Sequence, residues 1–196
     1  MPFRRSRHAL FCLSALAACG ATSRLPTDLA TLAAESPVDS PARLRLVGDR
    51  IAAATIAVGP GAMPPEVRTT LDAIAPGGEL LFQGREWGPR GRGFRIEKRY
   101  RGNGEEHVRS VLIGEDGSVL ERAHSVPLTQ VPPNVLGAAL RTGPHVDEAR
   151  IVSGPEREEY WSCTIRTRIG RTFVVDVDLD GRVLRTTRRI DAHLDL

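Results

Sequence analysis

Lysine is almost absent from this chain: Lys98 is the only one among 27 basic residues, so positive charge is carried by arginine. Aromatic residues make up only 5% of the sequence, and there are three cysteines. No HExxH pattern, no Cys–His metal spacing and no glycine-framed serine occurs, which leaves metal-assisted and nucleophilic chemistry without a signal. The four histidines after residue 19 (His107, His124, His145 and His193) stand apart from one another. No apolar run reaches the roughly twenty residues that cross a bilayer as a helix. The run from Ala9 to Ala18 is about half that length, and no acidic residue precedes Cys19.

That uneven charge explains a misleading total. The formal net charge is +3, but Arg4, Arg5 and Arg7 all lie in the first nineteen residues. Without them the remainder balances, with 24 basic residues against 24 acidic ones. A nucleic-acid binder keeps a basic footprint on its folded domain, so no nucleic-acid partner is expected.

What is present begins with MPFRRSRHALFCLSALAAC, which has the order of a secretion signal: a basic start, an apolar stretch and small residues before a cysteine. Leu16-Ala17-Ala18-Cys19 resembles the lipobox of bacterial lipoproteins. The resemblance implies cleavage after residue 18, diacylglycerol on the Cys19 thiol and acylation of the new amino group. Acyl chains of this kind hold a protein on a membrane stably. Gly20 rather than aspartate follows the cysteine, a pattern that in Gram-negative lipoproteins implies the outer membrane, facing the periplasm. Cys12 then leaves with the signal and Cys19 is blocked, so Cys163 remains alone and no internal disulfide can form. In the strand-like run YWSCTIRTR, Cys163 reads as a small buried residue.

Residues 19–41, with Pro26, Pro37 and Pro41 among small and polar side chains, cannot bury enough surface to offset the entropy of ordering and read as a tether. From Ala42 the chain becomes apolar. Leu44 and Leu46 alternate with Arg43 and Arg45 as in a strand, while Ile51 to Val58 fits a strand or a helix.

The remainder contains an apparent duplication. Met63-Pro64-Pro65-Glu66-Val67 matches Val131-Pro132-Pro133-Asn134-Val135, and Asp116-Gly117-Ser118-Val119-Leu120 matches Asp180-Gly181-Arg182-Val183-Leu184. Each proline pair suits a helix start. Val67, Leu71 and Ile74 then form one apolar stripe, and Val135, Leu136, Ala139 and Leu140 another. Both helices are short enough to need a surface to pack on, and the alternating segments that follow supply it. The expected fold is α+β: two tandem units of a helix on an antiparallel sheet, residues 42–126 and 127–196.

One stretch, VVDVDLDGRVLR (174–185), admits two readings. Asp176, Asp178 and Asp180 before Gly181 resemble the start of a calcium loop, but that loop ends in a bidentate glutamate at position 12, where this chain has Thr187. The matching positions in the first unit are Leu112, Gly114 and Asp116. The two units share Asp-Gly, which marks a hairpin turn with glycine at positive φ. Asp176 and Asp178 are then expected on an exposed face opposite Val175 and Val177, and no metal is expected.

The order "P-P-x-V, short helix, strand, Phe or Tyr, strand, D-G-x-V-L" resembles PepSY-like domains of bacterial envelope proteins and the related β-lactamase-inhibitor-protein-like folds. Pro64, Pro65, Val67, Phe94, Val111, Ile113, Asp116 and Gly117 carry the resemblance in the first unit. Pro132, Pro133, Val135, Tyr160, Val175, Val177, Asp180 and Gly181 carry it in the second. It implies non-enzymatic roles, such as binding or inhibiting a secreted protein, and offers no catalytic residue or cofactor. Gly88-Pro89-Arg90-Gly91-Arg92-Gly93 departs from the pattern by making the first hairpin longer and more basic than the second.

That same stretch holds the candidate binding residues Arg85, Trp87, Arg90 and Arg92, since arginine and tryptophan are enriched where protein surfaces bind. Glu105-Glu106, after Gly102-Asn103-Gly104, decorates a hairpin rather than forming an acid–base pair. The sequence thus predicts a lipid-anchored envelope protein that is not an enzyme and binds a periplasmic protein. The alternative is an envelope-assembly lipoprotein contacting anionic lipid or polymer.

Overall fold

The computed structural model describes residues 40–102, 104–155 and 157–194. The signal, Cys19 and residues 20–39 of the tether lie outside them. Where the described chain begins, Ser40 and Pro41 already belong to a strand.

Ten antiparallel strands close into one ring. They are β1 (Ser40–Val47), β2 (Arg50–Ala57), β3 (Glu79–Gly88), β4 (Gly91–Gly102), β5 (Glu105–Gly114), β6 (Val119–Val126), β7 (His145–Gly154), β8 (Arg157–Arg166), β9 (Thr172–Val177) and β10 (Val183–Leu194). Helix α1 (Pro65–Ile74) lies between β2 and β3, and helix α2 (Pro133–Leu140) between β6 and β7. Each helix has proline at its first turn, as the sequence predicts.

The closed barrel overturns the expected α+β pair of helix-plus-sheet units. The reason lies in three strand contacts. β6 pairs with β7, which joins the strands of the two expected units edge to edge. At the other side the β1–β2 hairpin inserts between the outer strands, β2 on β3 and β1 on β10. No unpaired sheet edge remains in the ring, which removes the usual site of edge-to-edge aggregation. The segment Ile51 to Val58, open between helix and strand in the sequence, falls in β2 up to Ala57.

The helices dock on the outside of the ring. Val67 and Leu71 of α1 pack on Phe94, Ile96, Val111 and Ile113 of β4 and β5. Val135, Ala138 and Ala139 of α2 pack on Trp161, Cys163, Ile165, Val175 and Val177 of β8 and β9. Each fully buried aliphatic side chain contributes about 1.5–3 kcal/mol, and this packing stabilises helices too short to persist alone. Phe94 and Tyr160, paired in the sequence pattern, fall on opposite faces: Trp161 takes the place under α2 that Phe94 takes under α1.

The Asp-Gly turns form as read. Gly117 and Gly181 have φ of 85° and 86°. In each three-residue loop the glycine N–H donates back to the residue three before it, Gly114 or Asp178. Both turns touch a helix: Thr70 Oγ1 donates to Gly117 O (2.8 Å) and Asn134 Nδ2 donates to Leu179 O (3.2 Å). The β3–β4 connection is not lengthened, however. Gly88 pairs with Gly91 as Gly154 pairs with Arg157, so the two hairpins are equally tight.

Candidate functional site

Strand residues alternate between the ring's outer and inner faces. Because Phe94 and Ile96 face outward to α1, Arg95 and Glu97 face the interior. Register extends that inner face: Arg95 pairs with Leu112, which pairs with Glu121, and Glu97 pairs with Ser110. The barrel interior is therefore filled largely by charged and polar side chains, with the main apolar cores outside it.

Arg95 is the centre of this interior. Its Nε and Nη2 donate to both carboxylate oxygens of Glu86, at 2.8 Å each. Its Nη1 donates to Glu121 at 2.5 Å. Thr55 Oγ1 adds a bond to Glu86 (3.0 Å). Arg90, on the β3–β4 turn, pairs with Glu121 and donates to the Tyr160 hydroxyl at 2.8 Å.

A second cluster crosses the barrel. Glu97 on β4 accepts from Arg43 on β1 (3.1 Å) and from Arg150 on β7 (2.8 Å). None of these three strands neighbours another in the ring, so their side chains meet through the interior. A third cluster joins Asp176 to Ser162 (2.9 Å) and to Arg185 (2.7 Å). This corrects the exposed position expected for Asp176, whose residue surface is 5% accessible. Asp178 instead accepts from the backbone N–H groups of Asp180 and Arg182 in its turn.

These surroundings set the ionisation of the groups. Burial pushes the Glu86 carboxyl up, but the Arg95 guanidinium outweighs it and holds the pKa at about 2. Burial opposes ionisation of Glu97 as well, and Arg150 with Arg43 brings it to about 2. Glu121 is lowered against burial by Arg95 and Arg90. Cys163 is fully buried, and burial, with the Asp176 charge, pushes its thiol up to about 11. It is the small core residue the sequence predicts.

The four candidate binding residues separate. Arg85, Trp87 and Arg92 share the outer face, since Trp87 pairs with Arg92 and Arg85 with Phe94. Arg85 lies over the Phe94 ring, 5.7 Å from its centroid. Trp87 packs on Ala42 and Ile56, and Arg92 is exposed. Arg90 turns inward to the Glu121 cluster. Glu106, at the start of β5, pairs with Arg99 (3.1 Å) in the hairpin role read for it.

Among the described residues, two hollows bear on the candidate site. One, of about 60 Å³, is partly open and is lined by the β3–β4 turn and by Arg45, Arg95 and Arg185. The other, of about 700 Å³, is a shallow depression lined by Leu128, Leu136, Leu140 and Val146 with Arg166 and Arg168. Sequence reasoning passes over the interior residues Glu86, Arg95, Glu97, Glu121 and Arg150. The available signal is that these opposite charges recur at alternate positions on successive strands.

No known protein family and no curated protein matches the sequence. Among solved structures, a Bacteroides eggerthii protein assigned to the periplasm is 16% identical with a TM-score of 0.49, covering 65% of this chain and 90% of its own. A DUF2874 family protein from Bacteroides uniformis gives 15% identity and a TM-score of 0.47, over 64% and 88% of the two chains. A BLIP-like protein from Bacteroides fragilis gives 16% and 0.42, over 69% and 91%. Likeness of this degree carries no function across to the chain.

Proposed function

We propose that this chain is a lipid-anchored envelope protein, held on the outer membrane facing the periplasm, that binds a periplasmic protein rather than catalysing a reaction. One observation carries the reading: the buried reactive groups are committed to structure. Glu86 and Glu97 are held ionised by arginines, and a general acid needs a pKa near the working pH. The Cys163 thiol is buried with its pKa raised, the opposite of an activated nucleophile. Function then belongs to the outer surface, where Arg85, Trp87 and Arg92 stand side by side on β3 and β4.

The test is photo-crosslinking in cells from a probe at exposed Arg92, with a probe at exposed Asp72 on α1 as control. A discrete protein adduct from position 92 alone supports the reading and identifies the partner. Absence of an adduct, together with Arg92-dependent binding to anionic vesicles, would replace it with the envelope-assembly role.

A further inference from the structure

The small hollow beside the β3–β4 turn carries an excess of positive charge inside a built polar wall. Four arginines line it (Arg45, Arg90, Arg95 and Arg185) against two glutamates, Glu86 and Glu121. Arg95, Glu86 and Glu121 neutralise one another in part, and Arg90 also pairs with Glu121. Arg185 is held by Asp176 through its Nε and Nη2, at 3.1 and 2.7 Å. With Asp176 counted, four guanidinium groups face three carboxylates among the described residues.

The unmatched charge is Arg45. Its charge reaches Glu86 only at a distance, and among the described residues no carboxylate lies within 4.0 Å of it. Register sharpens this point. Arg45 on β1 pairs directly with Arg189 on β10, so two guanidinium side chains leave the sheet together on one face. Like charges directly opposite across strands are destabilising. Arg189 is drawn to Asp191 (2.9 Å), and Arg45 is left facing the hollow.

We infer that this hollow is an oxyanion site, taking one carboxylate or phosphate group with Arg45 as its principal donor. A guanidinium presents five N–H donors in a planar fork matched to such a group. The space suits a single oxyanion, since it is far smaller than the roughly 300–1,000 Å³ of pockets that hold drug-sized ligands. The wall is fixed in advance, because Arg95, Glu86 and Glu121 are all buried and Arg95 donates to both Glu86 and Glu121. Nothing must reorganise on binding except Arg45 and the solvent it displaces. This site is independent of the outer-face partner proposed above.

The test titrates acetate and, separately, inorganic phosphate into the purified full chain in detergent, at constant ionic strength and pH. Melting temperature and calorimetric heat are followed. The expected result is a saturable stabilisation by at least one of the two anions that chloride does not give. Arg45→Gln weakens it roughly tenfold or more, the loss of a charged hydrogen bond. Arg45→Lys, which keeps the charge but loses the fork, falls between the two. A preference for acetate points to a carboxylate, and a preference for phosphate to a phosphoryl group. No saturable effect of either anion, or an unchanged effect in Arg45→Gln, overturns the proposal.

Discussion

Arg95 grips both carboxylate oxygens of Glu86 inside the barrel, with only 6% and 7% of the two side chains exposed. A pair so placed is strongly asymmetric in energy: keeping it adds little over apolar packing, but breaking it strands a buried charge. Arg95→Met leaves both Glu86 and Glu121 without this partner, and we expect a loss of about 3–5 kcal/mol in urea unfolding. Replacing Glu86, Arg95 and Glu121 together by apolar residues of similar volume is expected to lose less than Arg95→Met alone.

Acid should weaken the barrel through the same carboxylates. Glu86 and Glu97 move from an ordinary value of 4.5 to about 2 in the folded chain. Between those values the unfolded chain binds protons that the folded one does not, so stability falls as pH falls. The contribution is complete at neutral pH and is lost from about pH 5 towards pH 2, at most roughly 3 kcal/mol per carboxylate. Melting temperatures at pH 7, 5 and 3 check this. Glu97→Gln, starting from a lower value, is expected to decline less between pH 5 and 3 than the unchanged protein.

The parts legible in the sequence are those decided locally. Pro65 and Pro133 set helix starts, and Gly117 and Gly181 set turns, through conformational preferences of a few residues. Ring closure was not legible, because it depends on pairing residues 40–46 with residues 188–194, far apart in the chain. Asp176 was misjudged for the same reason. On an open antiparallel sheet the polar face of an alternating strand points to water, whereas closure turns that face into an interior. Arg90 was read with its neighbours as one surface patch, but its position on a tight two-residue turn lets it fold over the barrel mouth to Glu121.

Turn glycines give a further check. Gly181 and Gly170 both have positive φ, 86° and 75°. A Cβ at Gly181 would meet Asn134 Cβ at 3.0 Å, while one at Gly170 would meet nothing within 4 Å. Gly170→Ala is expected to lose only the left-handed backbone term, about 1–2 kcal/mol. Gly181→Ala should lose more, because α2 must also shift. Denaturant midpoints of the two variants measure the difference.

Cys163 should be inert while the chain is folded. Burial removes access, and a thiol pushed up to about 11 carries little thiolate near neutrality. Treatment with iodoacetamide at pH 8 is expected to leave it unmodified in native protein and to modify it fully in guanidinium, as read by mass spectrometry. Rapid labelling of native protein would mean that the contacts of α2 on β8 open readily.

The most direct test of the account is whether β1 and β10 close the ring, since the charged interior exists only if they do. Ala42 pairs with Ala192, and Asp191 lies one residue out of register on the opposite face. Cysteines placed at 42 and 192 are expected to form a disulfide on mild oxidation, identified by mass spectrometry of the linked peptides, and to raise the melting temperature. Cysteines at 42 and 191 are expected to remain free. Free thiols in the first pair, or linkage in the second, would contradict the closed barrel and the buried ion network built within it.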